Sequence, residues 1–105
     1  MGLDLHIAAS CKEIDALALS LSVSEHGSIF HNPKHPLQRA PLLNRMADYY
    51  QDADFHGREL PLILNEIDSV IANTTDPQAK GTLQALRQVF QEAHATNAAV
   101  YCLCD

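Results

Sequence analysis

Hydrophobic and polar residues alternate strictly near the start of this chain, recur with helical period through its second half, and give way to an apolar run at its close. At the start, Leu3, Leu5 and Ile7 alternate with Asp4, His6 and Ala8, the period of two that predicts a half-buried strand. Ser10 and Glu13 match a capping box, which opens a helical turn at Cys11. Two patterns then overlap. Ile14, Leu17 and Leu21 fit a helix, whereas Leu17, Leu19, Leu21 and Val23 alternate with Ala18, Ser20, Ser22 and Ser24. Four consecutive matches to period two, with serines on the polar side, favour a second strand. Ser24 is placed to cap a short helix reaching about Phe30, with Ile29 and Phe30 turned inward.

The segment "HNPKHP" is a loop, because each proline biases the residue before it away from helix. Pro41 opens the next helix, with Leu42, Leu43, Met46, Tyr49 and Tyr50 as its apolar and aromatic stripe, and "QDADFHG" breaks it. From about Arg58 to Asn73 the periodicity is strongest: Leu60, Ile63, Leu64, Ile67, Val70 and Ile71 make one continuous helix face. Asp76 caps the last helix, Pro77 starts it, and Ala79, Leu83, Leu86, Phe90 and Ala93 face the core until Asn97 stops it. "AAVYCLC" closes the chain as a buried or half-buried strand. Together these elements predict an α+β fold, a small antiparallel sheet of N-terminal and C-terminal strands covered on one side by amphipathic helices.

Composition agrees with that picture. A chain of 105 residues that is 47 % hydrophobic builds one core, so residues 1–105 form a single globular domain. No run of 18 apolar residues occurs, and "MGLDLHIAAS" has neither the basic nor the long apolar region of a secretory signal. Gly2 is not followed by the Ser or Thr that N-myristoylation wants at residue 6, where His6 stands. The chain therefore reads as cytoplasmic, with no membrane partner. In that compartment Cys11, Cys102 and Cys104 are expected as reduced, partly buried thiols. A link from Cys11 to the terminal strand stays geometrically open, whereas Cys102 and Cys104 are awkwardly placed to bond each other.

Charge changes the picture most. Net charge is −6, and all of it lies between Asp48 and Asp76, where seven acids accompany the single base Arg58. The rest of the chain holds six acids and six bases. The acidic balance argues against direct contact with nucleic acid, and the segregated field suits a basic partner. Within this segment Tyr49, Tyr50 and Phe55 interleave with Asp48, Asp52, Asp54, Glu59, Glu66 and Asp68. Carboxylates joined to rigid rings have the composition of a binding hot spot facing a basic groove. The plainer reading puts the tyrosines in the core and leaves the acids to solvate one side. Glu59 and Asp76 lie at helix starts, where negative charge is locally favourable; Asp48 and Asp52 follow a predicted helix end, where it costs several tenths of a kcal/mol.

Catalytic chemistry is sparse. Four glycines supply no phosphate loop and no nucleophile elbow, so neither an enzyme nor a cofactor is expected. Asp4 and His6 share a strand face, which gives either a hydrogen-bonded dyad or the wet side of a half-buried strand. His26, His31 and His35 raise a metal reading, but zinc sites usually set at least two ligands on one rigid element. Solvated surface histidines are the simpler expectation, and no metal ligand is assigned.

The stretches "MGLDLHIA", "PLLNRMADYYQDADF", "ELPLILNEID" and "VYCLCD" together resemble small bacterial immunity-type proteins of polymorphic toxin systems, in layout and acidity rather than in a diagnostic motif. That resemblance implies a non-enzymatic inhibitor that binds a cognate toxin and blocks its active site or substrate groove. The partner-binding residues would be Asp48, Tyr49, Asp52, Asp54, Phe55, Glu59, Glu66 and Asp68. The chain departs from the pattern in its moderate acidity and its intruding histidines, notably His56. Two alternatives stand beside it: a phage or host regulator that blocks a nucleic-acid-binding protein by charge mimicry, and a His-rich metal-binding protein.

Overall fold

The computed structural model describes residues 3–9, 17–30, 40–48 and 51–104. Their elements run β1 (Leu3–Ala8), β2 (Leu17–Leu21), α1 (Val23–Phe30), a 3-10 turn (Leu43–Met46), β3 (Ala53–Phe55), α2 (Glu59–Ala72), α3 (Pro77–Ala95) and β4 (Ala99–Cys104). All four strands join one antiparallel sheet in the order β2-β1-β4-β3. The two ends of the chain pair at its centre, with Leu3 opposite Cys104 and Ala8 opposite Ala99. This is the expected α+β arrangement of helices on an antiparallel sheet.

The period-two pattern explains which face is covered. Leu3, Leu5, Leu21, Phe55, Val100 and Cys102 enter one core with Ile29, Ile63, Ile67, Leu83, Leu86 and Phe90 from the helices. Phe55 and Phe90 meet edge to face at 5.2 Å, a geometry that adds about 0.5–1.5 kcal/mol to their burial. The intervening residues take the opposite face. There Asp4 lies across from Ser20, whose hydroxyl donates to Asp4 Oδ1 at 2.6 Å.

Helix α3 is bounded as its caps predict. The Asp76 side chain accepts from the Gln78 N–H at 3.2 Å, and Pro77 takes the first helical position. At the other end Asn97 has φ of 55°, and the Ala98 N–H reaches back to the Ala93 carbonyl at 2.9 Å. That left-handed residue with its backward bond is the usual way a helix stops at Asn or Gly.

Three expectations change. Ser22, not Ser24, caps α1: its hydroxyl accepts from the Glu25 N–H at 3.1 Å, and Glu25 Oε1 accepts from the Ser22 N–H at 3.0 Å. This reciprocal capping box draws Val23 out of the strand and into the helix. In place of a helix opened by Pro41, the described residues form only the four-residue 3-10 turn. Its Leu43 and Met46 are both buried, a spacing of three that one tight turn satisfies. Third, the acid-rich stretch read as a helix breaker contains β3. Residues 10–16, including Cys11 and the capping box at Ser10, and residues 31–39, including His31 and His35, lie outside the described residues.

His26 is not a solvated histidine. It is 1 % exposed, donates from Nε2 to the Met46 carbonyl at 2.6 Å, and stacks on Phe30 at 4.6 Å, tying α1 to the 3-10 turn. Cys102 is a free, buried thiol, with its Sγ 3.4 Å from Met46 Sδ. Among the described residues, no helix is long and apolar enough to cross a membrane.

Candidate binding surface along the acidic edge strand

Strand β3 is short because the chain must turn at once into α2. Gly57 makes that turn with φ of 49°, a conformation that favours glycine. The turn is closed by Glu59, whose Oε1 accepts the His56 N–H at 3.1 Å. Its other oxygen, Oε2, meets Arg45 Nη2 at 2.6 Å. Arg45 reaches this point from the 3-10 turn, lies 5.5 Å from the centre of the Phe55 ring, and directs Nη1 toward the Asp54 carbonyl at 3.4 Å. One guanidinium therefore ties the 3-10 turn, β3 and α2 together.

This arrangement sets the local ionisation. The hydrogen bond from Arg45 holds the Glu59 carboxyl below its ordinary range, helped by the His56 N–H. Reciprocally, Glu59 raises the Arg45 guanidinium. Strand alternation sends Phe55 inward and Asp54 outward, and Asp54 Oδ2 pairs with His56 Nε2 at 3.0 Å. The His56 ring stands edge-on to Tyr101 at 5.3 Å. On the other side of β4, burial pushes the Cys102 thiol up to about 12, and the negative charges of Asp54 and Asp52 add to the effect. Cys102 thus stays a protonated thiol in the core, on the face away from the Asp54–His56 pair.

The structure divides the eight sequence-derived candidates. Asp48, Asp52 and Asp54 are exposed; Asp54 lies on β3, Asp52 directly before it, and Asp48 follows the 3-10 turn. Phe55 is corrected: it is 0 % exposed and packed on Phe90, so it cannot fill a pocket on a partner. Glu66 is spent inside the fold. Its two oxygens accept the N–H groups of Leu42 and Leu43, at 3.3 and 2.9 Å, and so satisfy the start of the 3-10 turn. Glu59 is held by Arg45 and His56 as described. Asp68 lies elsewhere on α2 and pairs with Arg87 Nε of α3 at 2.6 Å. Tyr49 lies outside the described residues.

Sequence reasoning missed Arg45, Arg87 and Tyr101 as neighbours of the acids. Arg45 and Arg87 come from outside the acidic segment and fold onto it, which brings its −6 to −4. The argument from an unfavourable helix dipole at Asp48 and Asp52 also lapses, because a four-residue 3-10 turn stands where a full helix was expected. Among the described residues, no group of three or more His, Cys, Asp and Glu side chains is arranged to hold a metal ion. Asp52 and Asp54 thus lie exposed on β3 and its approach, with Asp54 paired to His56. No family model, curated protein or solved structure matches this chain.

Proposed function

We propose that this protein is an inhibitor of the immunity type, which binds a basic effector protein through the acidic edge at β3 and occludes it. The observation that carries the reading is the placement of Asp52 and Asp54: both are exposed, and they lie on one short edge strand and its approach. Charges so placed cost the fold little and act on a partner at a distance, raising its association rate. Glu59, Glu66 and Asp68 contribute to the field but serve chiefly as internal bonds. Affinity then rests on a smaller area than the full acidic segment, with Arg45 and His56 at its margin fixing the acids of β3 in place.

The reading is tested by growth rescue. Co-expression with a basic effector captured on this protein should restore growth of cells that the effector arrests, and Asp52→Lys combined with Asp54→Lys should abolish rescue without changing the amount of folded protein. Equal rescue by that double variant would remove this edge from the mechanism.

A further inference from the structure

Asp54 and His56 meet where the acidic edge joins the sheet face that points away from the helices. Asp54 lies on β3 opposite Tyr101 of β4, and its Oδ2 accepts from His56 Nε2 at 3.0 Å. With Nε2 donating to the carboxylate, Nδ1 is the nitrogen left to take a second proton. The side chains of His56 and Asp54 are 51 % and 62 % exposed, so the bond is made at the surface. Charged and titratable groups face the imidazole from the elements around it. Glu59 of α2 accepts the His56 backbone N–H through Oε1, and its Oε2 is taken by Arg45 of the 3-10 turn. Arg58 follows two positions on, at the start of α2. The Tyr101 ring stands edge-on at 5.3 Å, and His6 of β1 pairs in register with Tyr101. Of these types of group only imidazole changes charge between about pH 5 and 8; carboxylates, guanidinium groups and phenols do not.

We propose that His56 makes recognition at the acidic edge sensitive to pH, loosening its hold on a basic partner as the imidazole takes up a second proton. The inference rests on the acidic edge being the binding surface. Neutral His56 leaves Asp54 its full negative charge while orienting one of its oxygens. Imidazolium turns the same contact into an ion pair, and Asp54 and His56 together then carry no net charge. A partner's lysine or arginine now meets one fewer uncompensated acid, with a cation of its own sign beside it. Proton and partner thus compete for one carboxylate, and each lowers the affinity of the other by the same factor. Affinity is therefore highest above the imidazole range and falls as pH drops through it. Glu59 does not share in this change. It already holds the permanent cation of Arg45, whose hydrogen bond keeps the carboxyl below its ordinary range. Because the Asp54–His56 pair is exposed, water and salt screen it, and the change in affinity is about two- to fivefold at low ionic strength.

Calorimetric titration with hexaarginine at low ionic strength, at about pH 8 and about pH 5.5, tests this. The wild type should bind the peptide about two- to fivefold more tightly at the higher pH, with the same circular dichroism at both. His56→Gln, whose side-chain amide can still donate to Asp54, should bind alike at the two pH values. His6→Gln should keep the wild-type difference. Equal wild-type binding at both pH values, a difference that survives in His56→Gln, or one lost in His6→Gln overturns the inference and leaves the acidic edge standing as the binding surface. If instead Asp52→Lys with Asp54→Lys takes up the peptide as well as the wild type does at the higher pH, the edge itself is not the site, and the inference falls with it.

Discussion

β3 and β2 close the same sheet on opposite sides, yet they spend their side chains in contrasting ways. β3 sends Phe55 into the centre of the core and turns Asp54 outward. Around it Arg45, His56 and Glu59 form a connected set of bonds. β2 buries only Leu21 fully, exposes Leu17, and has one described polar tie across its outer face, the bond from Ser20 to Asp4. The acidic edge is thus anchored and charged, and the other edge is neutral, with its bulge at Ala18 and its Leu17 exposed. A rigid, charged edge suits recognition of a partner of opposite sign, whereas the neutral edge is interrupted by that bulge, a device that discourages strand pairing.

The largest expected effect separates the two edges by stability. Phe55→Ala removes a fully buried ring and its contact with Phe90, and should cost about 3–5 kcal/mol in urea unfolding. Leu17→Ala, on the far edge, should change stability by less than about 0.5 kcal/mol when measured on dilute protein. Similar losses for the two would erase the contrast. A smaller effect belongs to the Arg45 hub. Because Glu59 is held below its ordinary range, its contribution is present above the unfolded carboxylate value of 4.5 and is lost as pH falls through the lower folded value. Arg45→Ala should therefore cost no more than about 1 kcal/mol near neutrality, as expected for a solvent-screened pair. The same variant should also flatten the loss of stability on acidification below about pH 4.5. A wild-type acid limb unchanged in this variant would show that the ion pair contributes nothing to the edge.

Much of the fold was legible because long elements repeat their pattern. The alternation of Leu3, Leu5 and Ile7 marked β1, the run from Leu60 to Ile71 marked the buried side of α2, and Asp76, Pro77 and Asn97 bounded α3. Short elements escaped for the opposite reason. Three residues, Ala53 to Phe55, are too few to display a period, and the acids around them read as a break. Leu43 and Met46 fit a helix and a 3-10 turn equally well, since both place residues three apart on one side. The site was harder still. Local charge counting found the acids but not their partners. Arg87 lies 19 positions from Asp68, and the Leu42 and Leu43 amides lie 24 and 23 positions from Glu66. Only the fold brings these groups together, and it converts half of an apparent binding surface into internal bonds. His26 shows the same limit in reverse, a polar residue of a short helix, expected at the surface, that the fold buries against Met46.

The smallest effect on stability carries the largest consequence for function. Asp52→Lys with Asp54→Lys should shift unfolding by less than about 0.5 kcal/mol, since both positions are exposed. Affinity capture from the native organism, run in parallel with wild-type and doubly substituted protein and read by quantitative mass spectrometry, tests the central claim most directly. The account predicts a basic protein that is retained by the wild type, depleted at least tenfold by the charge reversal, and released as salt is raised. Equal recovery on both baits, or a recovered partner indifferent to salt, would contradict it.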